Sequence, residues 1–518
     1  MDIDTVQPAF QKKEFLAVLL AGFGNELLPL TSDNGDEPSP KALLPVANKP
    51  LLEYTLSWLE QSGIKDVLLI APTIHESALH HHINSDTTAS NLSIDLQTYD
   101  ETHESSIGTA ELLRHFAPRI TEDFVLVPCD FIAPPSLPLS TLLDKYRLES
   151  TSHGAIVSTC WYPAYAPEKG ILVDEWGQIP TSPALVWDPK TDSLLHVDTP
   201  DELDRNAEEY GLKMDMLSRY PRTRLSSSLQ DSHVYVCHRK VLQLLAQKPR
   251  FESFRQDFIP WLCKIQYQPS KRRKYAEFIS SIPNQTTYLS QSLALTHSTT
   301  PSAAAQSVAT LVPLEESSTP TTTSPNSSLP PPTFKVTITI HKSEDGLALR
   351  INNLYALLEM NRVFLSAHAQ SAQRVGGKAT PAPQVQGGAL VDPKAQISAD
   401  TMLGGSTQVG ERTVCKKSVI GRHCIIGRNV KIVGSILLDH CVVEDGAKLE
   451  GCILGKNTKV GSRSELARVV SCGGYEVGGG ETLKGEKLDV SDWTAEVPHG
   501  NEDESTESGE ENEEDDSD

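Results

Sequence analysis

An aliphatic side chain recurs at almost every sixth position between residues 391 and 466, and this period restricts the possible folds more than any other feature of the sequence. The repeat positions are Val391, Ile397, Leu403, Val409, Val414, Ile420, Ile426, Ile432, Val443, Leu449, Leu454, Val460 and Leu466. A six-residue aliphatic period is typical of a parallel β-helix, in which three short strands form each coil and the aliphatic side chain fills the interior. We therefore predict a β-helix with its cap over residues 389–488. Its phase should slip by one residue at some corners, as between Val409 and Val414.

Short apolar runs alternate with helical patterns in the first 130 residues. Phe15–Leu20 (FLAVLL), Val67–Ile70 and Phe124–Val127 are predicted as buried parallel strands because their apolar side chains run without interruption. Helices are predicted over residues 50–62 and 109–116. Strands that alternate with helices are typical of a doubly wound α/β sheet, which we predict for the N-terminal domain.

Residues 291–332 consist mainly of Ser, Thr, Pro and Ala, a composition that cannot bury a core. A predicted strand, Phe334–Ile340, and a predicted helix over residues 353–365 follow this segment. We therefore predict a disordered insertion at about residues 289–333 inside an N-terminal domain of residues 1–378. A flexible junction over residues 379–388 then leads into the β-helix.

Half of the formal net charge of −22 lies in the last 18 residues, which carry eleven carboxylates and no Lys or Arg. A block of like charges repels itself, so residues 489–518 are predicted to form a disordered acidic tail. The acidic balance argues against nucleic acid as the main partner. The tail can contact a basic partner, although a solvated tail is the simpler interpretation.

Several features favour a cytosolic protein. The first 13 residues are polar and lack the apolar core of a secretion signal. Apolar runs of about 18 residues do not occur, so no membrane span is predicted. The nine cysteines show neither a CxxC pair nor metal-ligand spacing, and we interpret them as reduced core residues of a protein without a metal or other cofactor.

Two segments resemble the signature of sugar-1-phosphate nucleotidyltransferases: Leu20–Thr31 (LAGFGNELLPLT) and Pro40–Leu51 (PKALLPVANKPL). In that family a glycine-rich loop holds the nucleotide phosphates, because small residues let backbone N–H groups approach an anion and basic side chains neutralise it. Lys41 matches the family lysine. Ile107–Ala110 (IGTA) matches a segment on the base side of the pocket, and we interpret it as retained packing rather than retained catalysis.

The glycine-rich loop departs from the family pattern at a position where the family has a positive charge. The family places an arginine two residues after the last loop glycine, whereas Gly24 is followed here by Asn25 and Glu26. Losing one charge-assisted hydrogen bond costs roughly 1.5–3 kcal/mol, and a carboxylate beside phosphates adds repulsion. We therefore predict a vestigial nucleotide pocket without catalytic residues. Its members are Gly22, Gly24, Glu26, Lys41, Gly108 and Asp130.

The family's magnesium site is also incomplete. Val125–Asp130 (VLVPCD) resembles the strand that ends in a magnesium-binding aspartate, and Asp130 is retained after Cys129. The second aspartate is expected after the strand Val234–Val236, where the sequence has Cys, His and Arg at 237–239. Magnesium requires oxygen ligands, so one carboxylate is not enough and no metal site is predicted.

Inactive relatives with a left-handed hexapeptide β-helix include the gamma and epsilon subunits of the translation initiation factor 2B complex. The segments that resemble gamma subunits are Ser228–Val241, Gln256–Leu262, Arg350–Arg362, Glu450–Gly461 and Gly473–Val477. Epsilon subunits carry a helical-repeat exchange domain after the β-helix, whereas a short polar segment follows it here. The sequence is therefore most similar to the gamma-subunit family.

The resemblance implies a non-catalytic subunit of the guanine-nucleotide exchange factor for initiation factor 2. Such a subunit should pair with epsilon and lie beside the alpha, beta and delta subunits. Within the complex it should promote exchange of GDP for GTP on the initiation factor 2 heterotrimer. Direct contact with nucleic acid or a membrane is not expected.

Two enzymatic alternatives are less favoured. An active sugar-1-phosphate guanylyl- or adenylyltransferase would lack the loop arginine and the second metal aspartate. A hexapeptide acyltransferase would need a catalytic histidine, for which His423 and His440 are the candidates in the β-helix. We interpret His75 and His80–His82 as a solvated surface run rather than a zinc site. The basic run Lys271–Lys274 is interpreted as a surface cluster rather than a nuclear signal or a phosphate-binding patch.

Overall fold

The computed structural model describes residues 14–32, 39–85, 87, 91–100, 107–164, 182–198, 211–275, 278, 334–375, 384–385 and 387–489. The predicted insertion lies outside these residues, and so do the predicted acidic tail beyond Asp489 and most of the predicted junction over residues 379–388. Their predicted disorder stays a prediction.

A ten-stranded sheet forms the centre of the N-terminal α/β domain. Its strands are β1 (Phe15–Leu20), β4 (Asp66–Pro72), β5 (Ser93–Tyr99), β6 (Asp123–Pro128), β8 (Ala155–Pro163), β9 (Leu185–Asp188), β10 (Ser193–Val197), β11 (Arg224–Ser226), β12 (Leu229–Cys237) and β13 (Lys335–Ile340). They lie in the order β11–β9–β10–β13–β8–β12–β6–β1–β4–β5. Two small ladders lie outside the sheet: β2 (Pro45–Val46) with β3 (Lys49–Pro50), and β7 (Phe131–Ile132) with β14 (Leu349–Arg350).

Both faces of the sheet are covered, which explains the uninterrupted apolar sequence of β1. Ala17 and Leu19 belong to an apolar cluster on one face, and Val18 belongs to a cluster on the other. The helices are α1 (Leu51–Gln61), α2 (Glu76–Ser85), α3 (Thr109–His115), α4 (Leu139–His153), α5 (Met214–Arg219), α6 (Lys240–Ala246), α7 (Ile259–Tyr267), α8 (Pro269–Lys274) and α9 (Leu354–Val375). Residues of α1, α4 and α9 join the first cluster, and residues of α3, α6 and α7 join the second. The predicted doubly wound α/β class is confirmed.

The chain returns to the same sheet after the predicted insertion. β13 pairs in parallel with β8 along its whole length, from Lys335 opposite Ala155 to Ile340 opposite Trp161. The following helix α9 covers the sheet together with α1 and α4. The strand and helix that follow the polar segment therefore belong to the same sheet and layer as the strands before it, and the bounds of the predicted insertion stay a prediction.

The C-terminal region is a parallel β-helix with three sheets. The first sheet contains β15 (Gln384–Val385), β18 (Met402–Leu403), β21 (Val419–Ile420), β24 (Ile436–Leu437), β27 (Ile453–Leu454), β30 (Val470–Ser471) and β33 (Lys487–Leu488). The second contains β16 (Leu390–Val391), β19 (Gln408–Val409), β22 (Ile425–Ile426), β25 (Val442–Val443), β28 (Lys459–Val460) and β31 (Glu476–Val477). The third contains β17 (Gln396–Ile397), β20 (Val414–Lys416), β23 (Lys431–Val433), β26 (Lys448–Glu450), β29 (Glu465–Ala467) and β32 (Thr482–Lys484).

The coil length explains the phase slips in the repeat. Ile436 pairs with Ile453, which lies 17 residues later, rather than with a residue 18 positions away. From Met402 onward one side of each coil is therefore a residue shorter than the other two, whereas the strands before it pair 18 residues apart. The structure corrects one repeat position on this account: Cys415, not Val414, is fully buried in the interior, and Ile420 follows it five residues later.

The first sheet of the β-helix packs against the α/β domain. The outward side chains of Ile436, Ile453 and Val470 join the same apolar cluster as α1 and α9. The amide of Asn48 adds a hydrogen bond from its Nδ2 to the carbonyl oxygen of Ile420, at 2.9 Å. This sheet therefore carries aliphatic residues on both its faces, because both are buried. Among the described helices, none combines the length and apolar character that crossing a bilayer requires.

Candidate functional site

A cavity of about 300 Å³ lies at the edge of the sheet where β1 and β6 end. Its walls include the loop after β1, from Ala21 to Asn25, and Asp130 after β6. β1 and β6 are parallel neighbours, so the segments that follow them meet at one edge. This edge is where ligands bind in open α/β sheets, and the cavity is therefore the candidate site.

Two cations bind the buried carboxylate of Asp130. The Nζ atom of Lys41 lies 2.5 Å from Oδ2, and Nε of Arg350 lies 2.9 Å from Oδ1. Lys41 also donates to Oδ1 of Asn352 at 2.7 Å. Both carboxylate oxygens are thus held by charged donors, and charge-assisted hydrogen bonds of this kind are among the strongest in proteins.

The ion pairs determine the protonation of Asp130. Burial raises the pKa of this carboxyl, but the charges of Arg350 and Lys41 outweigh burial and bring the pKa to about 2, below the ordinary 3.8. A carboxyl with a depressed pKa stabilises the fold above its ordinary pKa, and this contribution is lost as the pH falls through the folded-state value. The stability that the Asp130 carboxylate contributes is therefore lost as the pH falls from about 4 to about 2.

We expect the difference in unfolding free energy between the unmodified chain and Arg350→Met to depend on pH. The difference should be full at pH 5 and should shrink between pH 4 and pH 2, because protonated Asp130 no longer gains from the guanidinium. Urea unfolding of both proteins at pH 5, 4, 3 and 2 measures it. A difference that is constant or grows over this range would contradict the assigned pairing.

A second group of polar residues extends the site along β12. A guanidinium nitrogen of Arg255 and one of Arg350 each lie 3.1 Å from ring nitrogens of His233. Burial and the charges of Arg350, Arg255 and Lys41 hold the pKa of His233 well below 6.5, so the ring is neutral at pH 7. Sequence reasoning missed His233 and Arg255, although His233 lies within the gamma-like segment Ser228–Val241.

Asp231 completes this group. Its Oδ2 accepts a hydrogen bond from the Tyr235 hydroxyl and lies 3.8 Å from Nε of Arg255, and its Oδ1 accepts from the backbone N–H of His233. His233 adopts a left-handed backbone with φ of 58°, at the register shift between Asp231 and Tyr235. The β-bulge thus directs the histidine toward the cavity.

The structure brings four of the six predicted pocket residues to the cavity. Gly22, Gly24, Lys41 and Asp130 line it. Gly24 has a φ of 83°, and a Cβ atom there would lie 2.9 Å from Cδ of Lys41, so glycine permits this lysine to cross the loop. Glu26 is exposed and is not among the lining residues, whereas its neighbour Asn25 is.

Gly108 also lies outside the lining, between the lining residues Ile107 and Thr109. A Cβ atom at Gly108 would lie 2.2 Å from the backbone oxygen of Glu252, and Ala110 donates to that oxygen at 2.8 Å. This close approach of two backbones requires glycine. It supports the interpretation that the IGTA segment is kept for packing.

The cavity does not fit the magnesium ion that the nucleotidyltransferase resemblance implies. Asp130 is the only carboxylate among the described lining residues, and Lys41 and Arg350 already bind both its oxygens. A divalent cation would have to displace both cations and lie beside Arg255 as well. Magnesium takes oxygen ligands, and the described lining offers it no free carboxylate oxygen.

The expected place of the second metal aspartate was wrong. β12 runs antiparallel to β6, so residues 237–239 lie at the opposite end of the sheet from Asp130. There His238 lies 3.8 Å from Asp123, the first residue of β6. The residue that faces Asp130 is Arg350 at the end of β14. The sequence signal that could have pointed to Arg350 was the gamma-like segment that begins at this residue.

Of the other histidines that the sequence analysis singled out, some lie in the core and some at the surface. His75 and His82 are buried, the first against the ring of Phe23 and the second 3.3 Å from Oε1 of Glu53, so the solvated-run interpretation was wrong for these two. His423 and His440 are exposed, and their rings stack at 5.1 Å on successive coils of the β-helix.

Two family models match the chain. The nucleotidyl transferase family matches residues 16–168, and the EIF2B subunit epsilon LbH domain matches residues 385–480. The second match confirms the predicted left-handed β-helix. The matches contain Gly22, Gly24, Lys41, Gly108 and Asp130, but neither contains Arg350.

Several relatives of this chain are named eIF2B subunit gamma. The translation initiation factor eIF2B subunit gamma of Schizosaccharomyces pombe is 34% identical over 278 residues, which cover 53% of this chain and 57% of that protein. The subunit gamma of Caenorhabditis elegans is 27% identical over 266 residues, 49% of this chain and 59% of that protein. The subunit gamma of Dictyostelium discoideum is 21% identical over 404 residues, 75% of this chain and 83% of that protein. These matches support a protein of the eIF2B gamma type.

The alignments with the first two relatives span less than two thirds of those proteins. In this chain two cations, Lys41 and Arg350, bind the acidic residue of the nucleotidyltransferase-like cavity.

Proposed function

We propose that this chain is a non-catalytic gamma subunit of the guanine-nucleotide exchange factor for initiation factor 2, acting in the cytosol. It pairs with the epsilon subunit and lies in one complex with the alpha, beta and delta subunits. It promotes exchange of GDP for GTP on the initiation factor 2 heterotrimer only within that complex. Its own nucleotidyltransferase-like cavity catalyses no reaction.

The pairing of Asp130 with Lys41 and Arg350 carries the non-catalytic part of this proposal. A nucleotidyltransferase needs an open carboxylate for its metal, and freeing Asp130 would leave two cations without their main partner. Removing one member of a buried ion pair typically costs ~3–5 kcal/mol. An active guanylyl- or adenylyltransferase is not favoured for this reason, and the gamma relatives support the exchange-factor assignment.

Co-expression with the tagged epsilon subunit tests the assembly. We expect the chain to co-purify with epsilon, and the pair to release GDP from initiation factor 2 faster than epsilon alone. The chain alone should not accelerate release. Recovery of the chain without epsilon, or release that is unchanged by its presence, would reject the assignment.

A parallel assay addresses the enzymatic alternative. The purified chain is incubated with Mg²⁺, GTP or ATP, and sugar 1-phosphates, and pyrophosphate is measured. We expect no product above that of a heat-denatured sample. Measurable turnover that disappears in Asp130→Asn would favour an active nucleotidyltransferase.

A further inference from the structure

A second cavity, of about 540 Å³, lies between the α/β domain and the β-helix, and we call it the interdomain cavity. It is larger than the nucleotidyltransferase-like cavity, and among the described lining residues none is shared by the two. Cavities that bind small molecules usually measure about 300–1,000 Å³ and often lie at domain interfaces. The function proposed above makes no use of this cavity.

The α/β domain supplies one wall of the interdomain cavity. Lys49 lies on β3, and its Nζ atom is 4.9 Å from the ring centre of Tyr54, a cation–π contact that helps to fix the lysine. Glu53 lies in the first turn of α1 and is 3% exposed, and its Oε1 atom lies 3.3 Å from Nε2 of His82 on α2. This wall therefore presents a cation and a buried carboxylate to the same space.

A corner of the β-helix supplies another wall. Arg422, Asp439 and Lys456 line the cavity from the same position of three successive coils. Neighbouring strands lie about 4.8 Å apart, so the two cations flank the carboxylate. Oδ1 of Asp439 accepts a hydrogen bond from the backbone N–H of Arg422 at 2.7 Å, which fixes the carboxylate at this corner.

A hydrogen bond joins the two walls beside the cavity. Nδ2 of Asn48 donates to the carbonyl oxygen of Ile420 at 2.9 Å. Lys49 is the residue after Asn48, and Arg422 lies two residues after Ile420, so cations from both domains lie at this junction and line the cavity. A ligand bound there would contact the α/β domain and the β-helix together.

The mixture of charges in the lining restricts the chemistry of the ligand. Lysine and arginine side chains bind phosphate groups. Glu53 and Asp439 line the same cavity, and they would repel a bare anion. Carboxylate oxygens accept hydrogen bonds, however, and hydroxyl groups donate them. A molecule that carries both a phosphate group and several hydroxyl groups therefore suits the two kinds of side chain.

We propose that the interdomain cavity binds a small phosphorylated polyol. Lys49, Arg422 and Lys456 bind its phosphate group, and Glu53 and Asp439 accept hydrogen bonds from its hydroxyl groups. A ligand that binds only the folded state stabilises that state by mass action. Because this ligand contacts both domains, it also strengthens the packing of the β-helix against the α/β domain.

The test uses the full chain and glucose 6-phosphate as the probe, with isothermal titration calorimetry at about 50 mM salt, where charges are only partly screened. We expect saturable binding at one site. The variant Lys49→Gln/Lys456→Gln removes one cation from each wall and should weaken binding at least about tenfold, because each lost charge-assisted contact costs about 1.5–3 kcal/mol. Unchanged affinity in this variant would place the probe elsewhere and overturn the proposal.

Inorganic phosphate separates the two parts of the ligand. It offers the cations a phosphate group, but it has no polyol hydroxyl groups for Glu53 and Asp439. We expect it to bind at least about tenfold more weakly than glucose 6-phosphate at the same ionic strength. Equal affinity for the two probes overturns the proposal in favour of a plain anion site.

The matched control is Lys431→Gln/Lys448→Gln, which removes the same charge from lysines that pair with glutamates on the third sheet of the β-helix. It should change the affinity by less than about twofold. Because Lys49 is half-buried, Arg422→Gln at an exposed position is measured as well, with circular dichroism to establish folding. This variant should weaken binding at least about threefold. Absence of saturable binding by the unmodified chain, or equal weakening by the control, overturns the proposal.

Discussion

Arg350→Met is expected to lower the free energy of unfolding of the α/β domain by about 2–3 kcal/mol. The substitution removes the guanidinium that donates to Oδ1 of Asp130 and leaves Lys41 as the remaining cation on this buried carboxylate. Breaking a buried pair typically costs ~3–5 kcal/mol. The lower value is expected because Lys41 stays in place and the side chain of Arg350 is 19% exposed. Urea unfolding at pH 7, followed by tryptophan fluorescence, gives the change.

Arg428→Met is the matched control, because it removes an arginine from an exposed pair. Arg428 lies 3.7 Å from Asp445, and their side chains are 69% and 59% exposed. Exposed pairs contribute about 0–1 kcal/mol, so we expect a change below about 0.5 kcal/mol. Equal losses of unfolding free energy in the two variants would mean that Arg350 stabilises the domain through packing. The charge of its guanidinium would then not stabilise the carboxylate of Asp130.

The α/β domain could be predicted from the sequence because its central strands are buried on both faces. The FLAVLL run forms β1 as predicted, since an uninterrupted apolar run suits a strand between two layers. The β-helix followed from its six-residue period. The sequence could not predict that Val414 lies outside the interior of the β-helix. The 17-residue coil becomes visible only when neighbouring coils are paired.

The candidate site was predictable only in part. The loop glycines, Lys41 and Asp130 lie in segments whose spacing is local, and the structure places them at one cavity. Arg350 lies 220 residues from Asp130 along the chain, and no local pattern reports such a contact. The expected second carboxylate at 237–239 was misplaced because the direction of β12 depends on its pairing with β6, not on its own sequence.

Ile436→Asp is expected to separate the β-helix from the α/β domain. Ile436 is 3% exposed and lies on the sheet that packs against α1 and α9, where the described residues around it are largely apolar. An unpaired carboxylate there loses its hydration without gaining a partner. We expect a loss of about 3–5 kcal/mol, equivalent to a fall of roughly 6–20 °C in the unfolding midpoint of a domain of 150–250 residues. Scanning calorimetry should resolve two transitions in place of one coupled transition.

Ile425→Asp is the matched control, since it places the same charge on another side of the same coils. Ile425 is 49% exposed on the second sheet, and its outward side chain is directed away from the docked face. A carboxylate there stays hydrated, so the midpoint should move by less than about 2 °C. If both variants lowered the midpoint equally, the effect would arise within the β-helix itself. If neither did, the aliphatic face of β24, β27 and β30 would not hold the two domains together, and the position of Asn48 against Ile420 would need another explanation.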